Sequence, residues 1–160
     1  MNEKSYQKGR ESLLAEDYKA AKREFADTLN SVGEQHQFYN QIISYLGLAQ
    51  VLTSDRNGLL LCRDAASSEA VEADVYLNLA CAEWHADNRQ RAVEAINLGR
   101  QIDAGHQQLV RASALIDSRR RNALPFLSRE HFLNRWLGRM CRKHRNELTV
   151  SKLLSLAEFS

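Results

Sequence analysis

The sequence predicts an all-α fold of paired helices with C-terminal capping helices. Three observations carry that expectation. One proline, Pro125, and seven glycines serve 160 residues, too few turn formers for a sheet-rich chain of this length. Apolar residues make up 44% of the chain, enough to build a core and to exclude wholesale disorder. Within paired stretches they recur at spacings of three and four, and a short polar turn breaks each pair.

The first pair holds Gly9 and Leu13, turns at Asp17-Tyr18, and continues through Ala21, Phe25 and Leu29. The second holds Ile43, Leu46 and Gly47, turns at Ser54-Asp55, and continues through Leu59 and Ala66. The third holds Tyr76, Leu79 and Ala80, turns at Asp87-Asn88, and continues through Ala92, Val93, Ile96 and Gly99. Gly9, Gly47 and Ala80 recur at intervals of 38 and 33 residues. Small side chains there, and at Ala21 and Ala92, let the two helices of a pair cross closely.

Leu109, Ala112 and Ile116 predict a further helix over 107–118 that covers the open end of the third pair. Leu124 is pushed towards extended backbone by Pro125, so a break falls near 120–127. Ser128 then caps a helix with Glu130 in its first turn. Phe132, Leu133, Trp136, Leu137 and Met140 form its apolar face. Thr149 or Ser151 caps a last short helix holding Leu153, Leu154 and Ala157. The chain reads as one domain: a repeat array over 1–118 and a basic helical cap over 119–160.

Two helices per unit and a period near 34 residues resemble the tetratricopeptide repeat. The resemblance spans roughly 3–106. Ala21, Phe25 and Leu29 match the second-helix slots of repeat 1, and Ala92, Ile96 and Gly99 those of repeat 3. Repeat 2 departs from the pattern, with Leu59 at the small slot and Arg63 at the large apolar one, and repeat 1 ends at Gly33 instead of proline. The resemblance implies a short right-handed superhelix, an α-solenoid, whose first helices line a concave surface that binds a peptide or helix.

The exposed positions implied for that surface are Tyr6, Arg10, Leu13 and Leu14, then Gln41, Ser44, Leu48, Val51 and Leu52, then Asp74, Leu77, Cys81, Trp84 and His85. The candidate peptide-binding groove is Tyr6, Arg10, Leu48, Val51, Leu77, Cys81, Trp84 and His85, with Trp84 and Tyr6 as aromatic anchors. Repeat proteins that hold the acidic tails of heat-shock chaperones use a Lys, Asn and Arg clamp. The matching positions here are Tyr6, Arg10, Tyr45, Asp74 and Asn78. Arg10 is the single cation among them, which argues against that role. The run from Pro125 to Arg139 resembles a terminal signature of small bacterial repeat proteins of unassigned role, and implies no activity.

The formal charge of +2 hides a division. Residues 1–106 carry 11 basic and 16 acidic side chains, and residues 107–160 carry 11 basic and 4 acidic. Arg129, Arg135, Arg139, Arg142, Lys143 and Arg145, with Arg119, Arg120 and Arg121, form a candidate basic patch. The alternatives are a surface for nucleic acid or an anionic partner, a solvated cap, or an arm lying against the acidic repeats.

No catalytic constellation emerges. The chain has no glycine-rich phosphate loop, no H-E-x-x-H and no C-x-x-C. Cys141 and His144 have ligand spacing but no second pair, and zinc needs about four ligands. Cys81 and His85 are i,i+4 neighbours, read as groove lining rather than as a nucleophile and base. No cofactor and no metal are expected. Three widely spaced cysteines do not make a disulfide framework. With no secretory signal and no apolar run long enough for a membrane span, a cytoplasmic location is expected. The expectation for function is a non-catalytic protein–protein interaction module, monomeric or homodimeric, with a secretion-type or assembly chaperone as a narrower form. Nucleic-acid binding through the arginines is the alternative.

Overall fold

The computed structural model describes residues 3–69 and 71–117. Among these it shows seven α-helices and no strand: α1 (Glu3–Leu14), α2 (Tyr18–Ser31), α3 (Tyr39–Leu52), α4 (Asn57–Ala66), α5 (Ala73–His85), α6 (Arg89–Ile102) and α7 (Gln107–Asp117). The break at Pro125, the helix expected over 128–140 and the last short helix lie outside the described residues, as do Cys141, His144 and the basic patch.

Helices sit where the periodicity places them. α1 packs on α2, α3 on α4, and α5 on α6, while α2 packs on α3, α4 on α5, and α6 on α7. α3 also packs directly on α5. Two core clusters result. Tyr6, Leu13, Ala21, Phe25, Ile42, Tyr45, Leu46 and Ala49 form the first. The second joins Leu48, Val51, Cys62, Leu77, Ala80, Cys81, Ile96 and Leu109, with Ala112 of α7 at its edge.

The turns inside the three pairs are the same structure built three times. Glu16, Ser54 and Asp87 have φ of 62°, 66° and 60°, each seven residues after Gly9, Gly47 and Ala80. The following N–H groups, of Asp17, Asp55 and Asn88, donate to the carbonyls of Ser12, Gln50 and Glu83 at 2.9, 2.9 and 2.8 Å. The left-handed residue itself donates to the carbonyl of Leu13, Val51 or Trp84. This is the Schellman closure of a helix end, with a non-glycine residue at its left-handed position. In the first turn Asp17 also caps α2, its Oδ1 accepting from the Ala20 N–H at 3.0 Å.

The crossings use the expected small residues, with one change of register. A Cβ on Gly9 would meet the Phe25 ring at 2.8 Å, and one on Gly47 would meet the Gly58 carbonyl oxygen at 2.7 Å. A Cβ on Gly58 would run into the Gly47 carbonyl oxygen. The small slot of the second pair is therefore Gly58, and its apolar slot is the buried Cys62, not Leu59 and Arg63. The offset is one residue because the crossing comes 12 positions apart in the other pairs and 11 here. α4 starts one residue before its crossing residue, whereas α2 and α6 start three before theirs.

Candidate binding face

Leu48, Leu77 and Cys81, expected on an open groove, are buried, at 0%, 1% and 1% exposure. Tyr6 and Val51 are buried too. These five are corrections to the expected groove. Each side chain belongs to one of the two core clusters, so burial of apolar area and not partner recognition is what it serves. Arg10 and His85 are exposed and Trp84 is half-buried, packed under the Arg89 guanidinium at 5.5 Å. Leu13 is also core, and Ser44 is fully buried.

The first helices of successive pairs are joined by polar contacts at the repeat spacing. Gln41 Nε2 on α3 donates to Asp74 Oδ2 on α5 at 3.0 Å, and Asp74 Oδ1 lies 3.0 Å from His106 Nε2 just before α7. One turn deeper, Asn78 Nδ2 donates to Ser44 Oγ at 2.9 Å, and Ser44 in turn donates to the Gln41 carbonyl. The sequence separations are 33, 32 and 34 residues. A two-faced carboxylate and a two-ended amide bridge helices that apolar packing alone would let slide. Asn78 is fully buried, and its Oδ1 has no hydrogen-bond partner.

Beside this line Tyr6 and Tyr45 pack edge-on at 5.9 Å, and Tyr45 stacks on Phe25 at 5.2 Å. Burial pushes the Tyr6 hydroxyl up to about 12, with the Arg10 charge pulling the other way and Asp74 adding to the rise. Burial pushes Tyr45 up further, and Asp74 adds to it. Both phenols stay protonated across the physiological range, so they are donors on a face whose one fixed anion is Asp74.

A second joint lies on the far side of α5. Glu83, 2% exposed, accepts from Arg63 Nε at 2.7 Å and from Arg63 Nη2 at 3.1 Å. Asn88 Nδ2 donates to the same carboxylate at 2.8 Å. This forked pair locks α4 to α5 and to the turn after α5. It also explains why Arg63 stands outside the apolar slot, since its guanidinium is needed at Glu83.

The Cys81–His85 pair has no nucleophilic geometry. Burial pushes the Cys81 thiol up to about 12, so it carries no thiolate at neutral pH, while His85 points to solvent. Cys62 is raised by burial as well, with its Sγ donating to the Ser44 carbonyl at 3.4 Å. Among the described residues no group of three or more His, Cys, Asp or Glu side chains is placed to hold a metal ion. Among the same residues no helix is long and apolar enough to cross a membrane.

Of the polar joints, Asp74, Asn78 and Gln41 were within reach of the sequence reading as positions of the first helices. His106 and the Arg63–Glu83 fork were not, although the 33-residue step from Gln41 through Asp74 runs on to within one residue of His106. No family model, no curated protein and no solved structure matches the chain.

Proposed function

We propose that this chain is a non-catalytic protein–protein interaction module, a short right-handed superhelix of three tetratricopeptide-like helix pairs with α7 as a capping helix. The observation that carries the reading is the threefold recurrence of one turn. Glu16, Ser54 and Asp87 are left-handed at equivalent places after Gly9, Gly47 and Ala80, and three copies of a helix–turn–helix unit stack side by side. Such stacks present their first helices as an extended recognition surface. The accessible side chains on these helices are Arg10, Gln41, Asp74, Trp84 and His85, a cationic, aromatic and amide-lined strip suited to an extended peptide.

The test is capture of partners on the immobilised full chain, in parallel with Arg10→Glu/His85→Glu and with Trp84→Ala. Loss of the same captured protein in both variants supports the reading. Retention of every captured protein by both variants removes it. The excess of ten basic over three acidic residues in 118–160 favours a second reading, binding of nucleic acid. Its affinity for a short duplex would fall steeply with salt. Arg135→Glu/Arg139→Glu would abolish that binding.

A further inference from the structure

α3 and α5 each carry a stripe whose middle is closed and whose ends are open. On α5 the stripe is Asp74, Asn78, Cys81 and His85, at the i, i+4, i+7, i+11 spacing of one helix side. Asn78 and Cys81 are 0% and 1% exposed, whereas the Asp74 side chain is 34% exposed and His85 faces solvent. On α3 the stripe is Gln41, Tyr45, Leu48 and Leu52, 33 residues earlier at every position. Tyr45 and Leu48 are buried and the two ends are half-buried. A helix buried on all sides has cover on all sides. The other sides of these helices are accounted for: Gly47 meets Gly58 on α4, Ser44 meets Asn78, Tyr76 lies against Gly99 on α6, and Glu83 holds Arg63.

We infer that residues 128–140 of this same chain dock across the middle of the two stripes, over Leu48, Asn78 and Cys81. Three features on the page choose that occupant. Phe132, Leu133, Trp136, Leu137 and Met140 supply an apolar face of matching chemistry. Residues 1–117 hold 12 basic and 17 acidic side chains, a net −5, while residues 118–160 hold 10 and 3, a net +7, so the two parts attract. The buried Asn78 Oδ1 lacks a donor, and an unpaired buried acceptor is costly. The arginines and the Trp136 indole of this segment are donors. The reach suffices as well. Residues 118–127 span up to ~35 Å when extended, against ~8–10 Å between neighbouring helices.

The occupant is intramolecular, so the inference stands independently of any external partner. Where both hold, a peptide that reaches the middle of the face displaces this segment, and the open ends at Arg10, Asp74 and His85 are where it first makes contact.

The experiment uses the full chain with a photo-crosslinking phenylalanine analogue in place of Trp136, mixed equally as ordinary and heavy-isotope protein. Mass spectrometry after irradiation is expected to find links within one chain from position 136 to peptides of α3 and α5. Links confined to α2, α4 or α6, links only between light and heavy chains, or no link within a chain overturn the inference. Alkylation of Cys81 gives a second readout. Met140→Asp in the full chain is expected to raise its rate about tenfold or more by freeing the cover, with Cys62 unchanged. Should Met140→Asp fail to fold, Leu133→Asp is read in the same way. An unchanged Cys81 rate in a folded variant overturns the inference.

Discussion

Glu83 and Arg63 make one ion pair with two unequal ends. The carboxylate is 2% exposed and the guanidinium side chain 34%, so deleting one partner differs in cost from deleting the other. Arg63→Met strands a buried anion with Asn88 alone, and is expected to cost about 3–5 kcal/mol. Glu83→Met leaves an arginine that turns to water, and is expected to cost about 1–2 kcal/mol. Urea midpoints of the two variants check the order, and a reversed order contradicts the assignment of the buried end. Lys8 and Glu24 make a pair that reports acidity. The Lys8 ammonium, 2.8 Å away, holds the Glu24 carboxyl below its ordinary 4.5. A depressed folded-state pKa stabilises above the unfolded value and loses that contribution as pH falls through the folded one. Stability should therefore fall below about pH 4.5, and more steeply in the native chain than in Lys8→Met, measured as urea midpoints across the acid range. The tyrosines act in the opposite sense. Tyr6, raised by burial from 10.0 to about 12, contributes stability below pH 10 that is lost as pH rises towards its folded value.

At the scale of the element, the turns and crossings separate what the sequence made legible from what it did not. All three turns stand where Asp17, Ser54-Asp55 and Asp87-Asn88 place them, because short polar residues after an apolar helix tolerate the left-handed region. The left-handed position itself falls on Glu16 in the first turn, a residue with no turn preference, and nothing in composition marks it. Ser54→Gly removes the Cβ that opposes φ of 66° and is expected to stabilise by about 0.5–1 kcal/mol, read from thermal unfolding. The second pair was misread by one residue. Gly58 and Leu59 are adjacent, and the alanine pattern of its neighbours leads the eye to count 12 from Gly47 rather than 11. Gly58→Ala forces two backbones apart and is expected to cost about 3 kcal/mol or more. Gly33→Ala, with nothing within 4 Å of the added carbon, should be neutral or stabilising by up to about 1 kcal/mol. Equal costs at the two glycines would remove the backbone-to-backbone crossing from the account. The groove was the harder reading. Leu48, Val51 and Leu77 are equally good as anchors for a partner and as core, and only knowledge of what covers a helix side tells the two apart. Arg10 and His85 are charged or polar, and their exposure was readable.

For the whole molecule, the described helices form a linear series in which the inner members have the most partners. α1 and α7 each close one end, while α3 contacts α2, α4 and α5. Opening free energies in such a series rise from the ends inwards. Amide hydrogen exchange in the full chain should be slowest in α3 and α5 and faster in α1 and α7. Slow exchange at α7 with fast exchange at α3 would contradict the order. The charge division is also a property of this scale. Neither the −5 of residues 1–117 nor the +7 of residues 118–160 belongs to any single helix, and the near-neutral total conceals both.

α3 has one further consequence. It gives Ile42, Tyr45, Leu46 and Ala49 to one core cluster, and Leu48 and Val51 to the other. It is a party wall between two rooms. Neither room keeps its shape when the wall goes, so the halves of the array share one melting event. Calorimetry should record a single endotherm whose van't Hoff and calorimetric enthalpies agree. A damaging substitution in the first cluster, such as Phe25→Ala, should draw the Cys62 and Cys81 side down to the same lowered temperature.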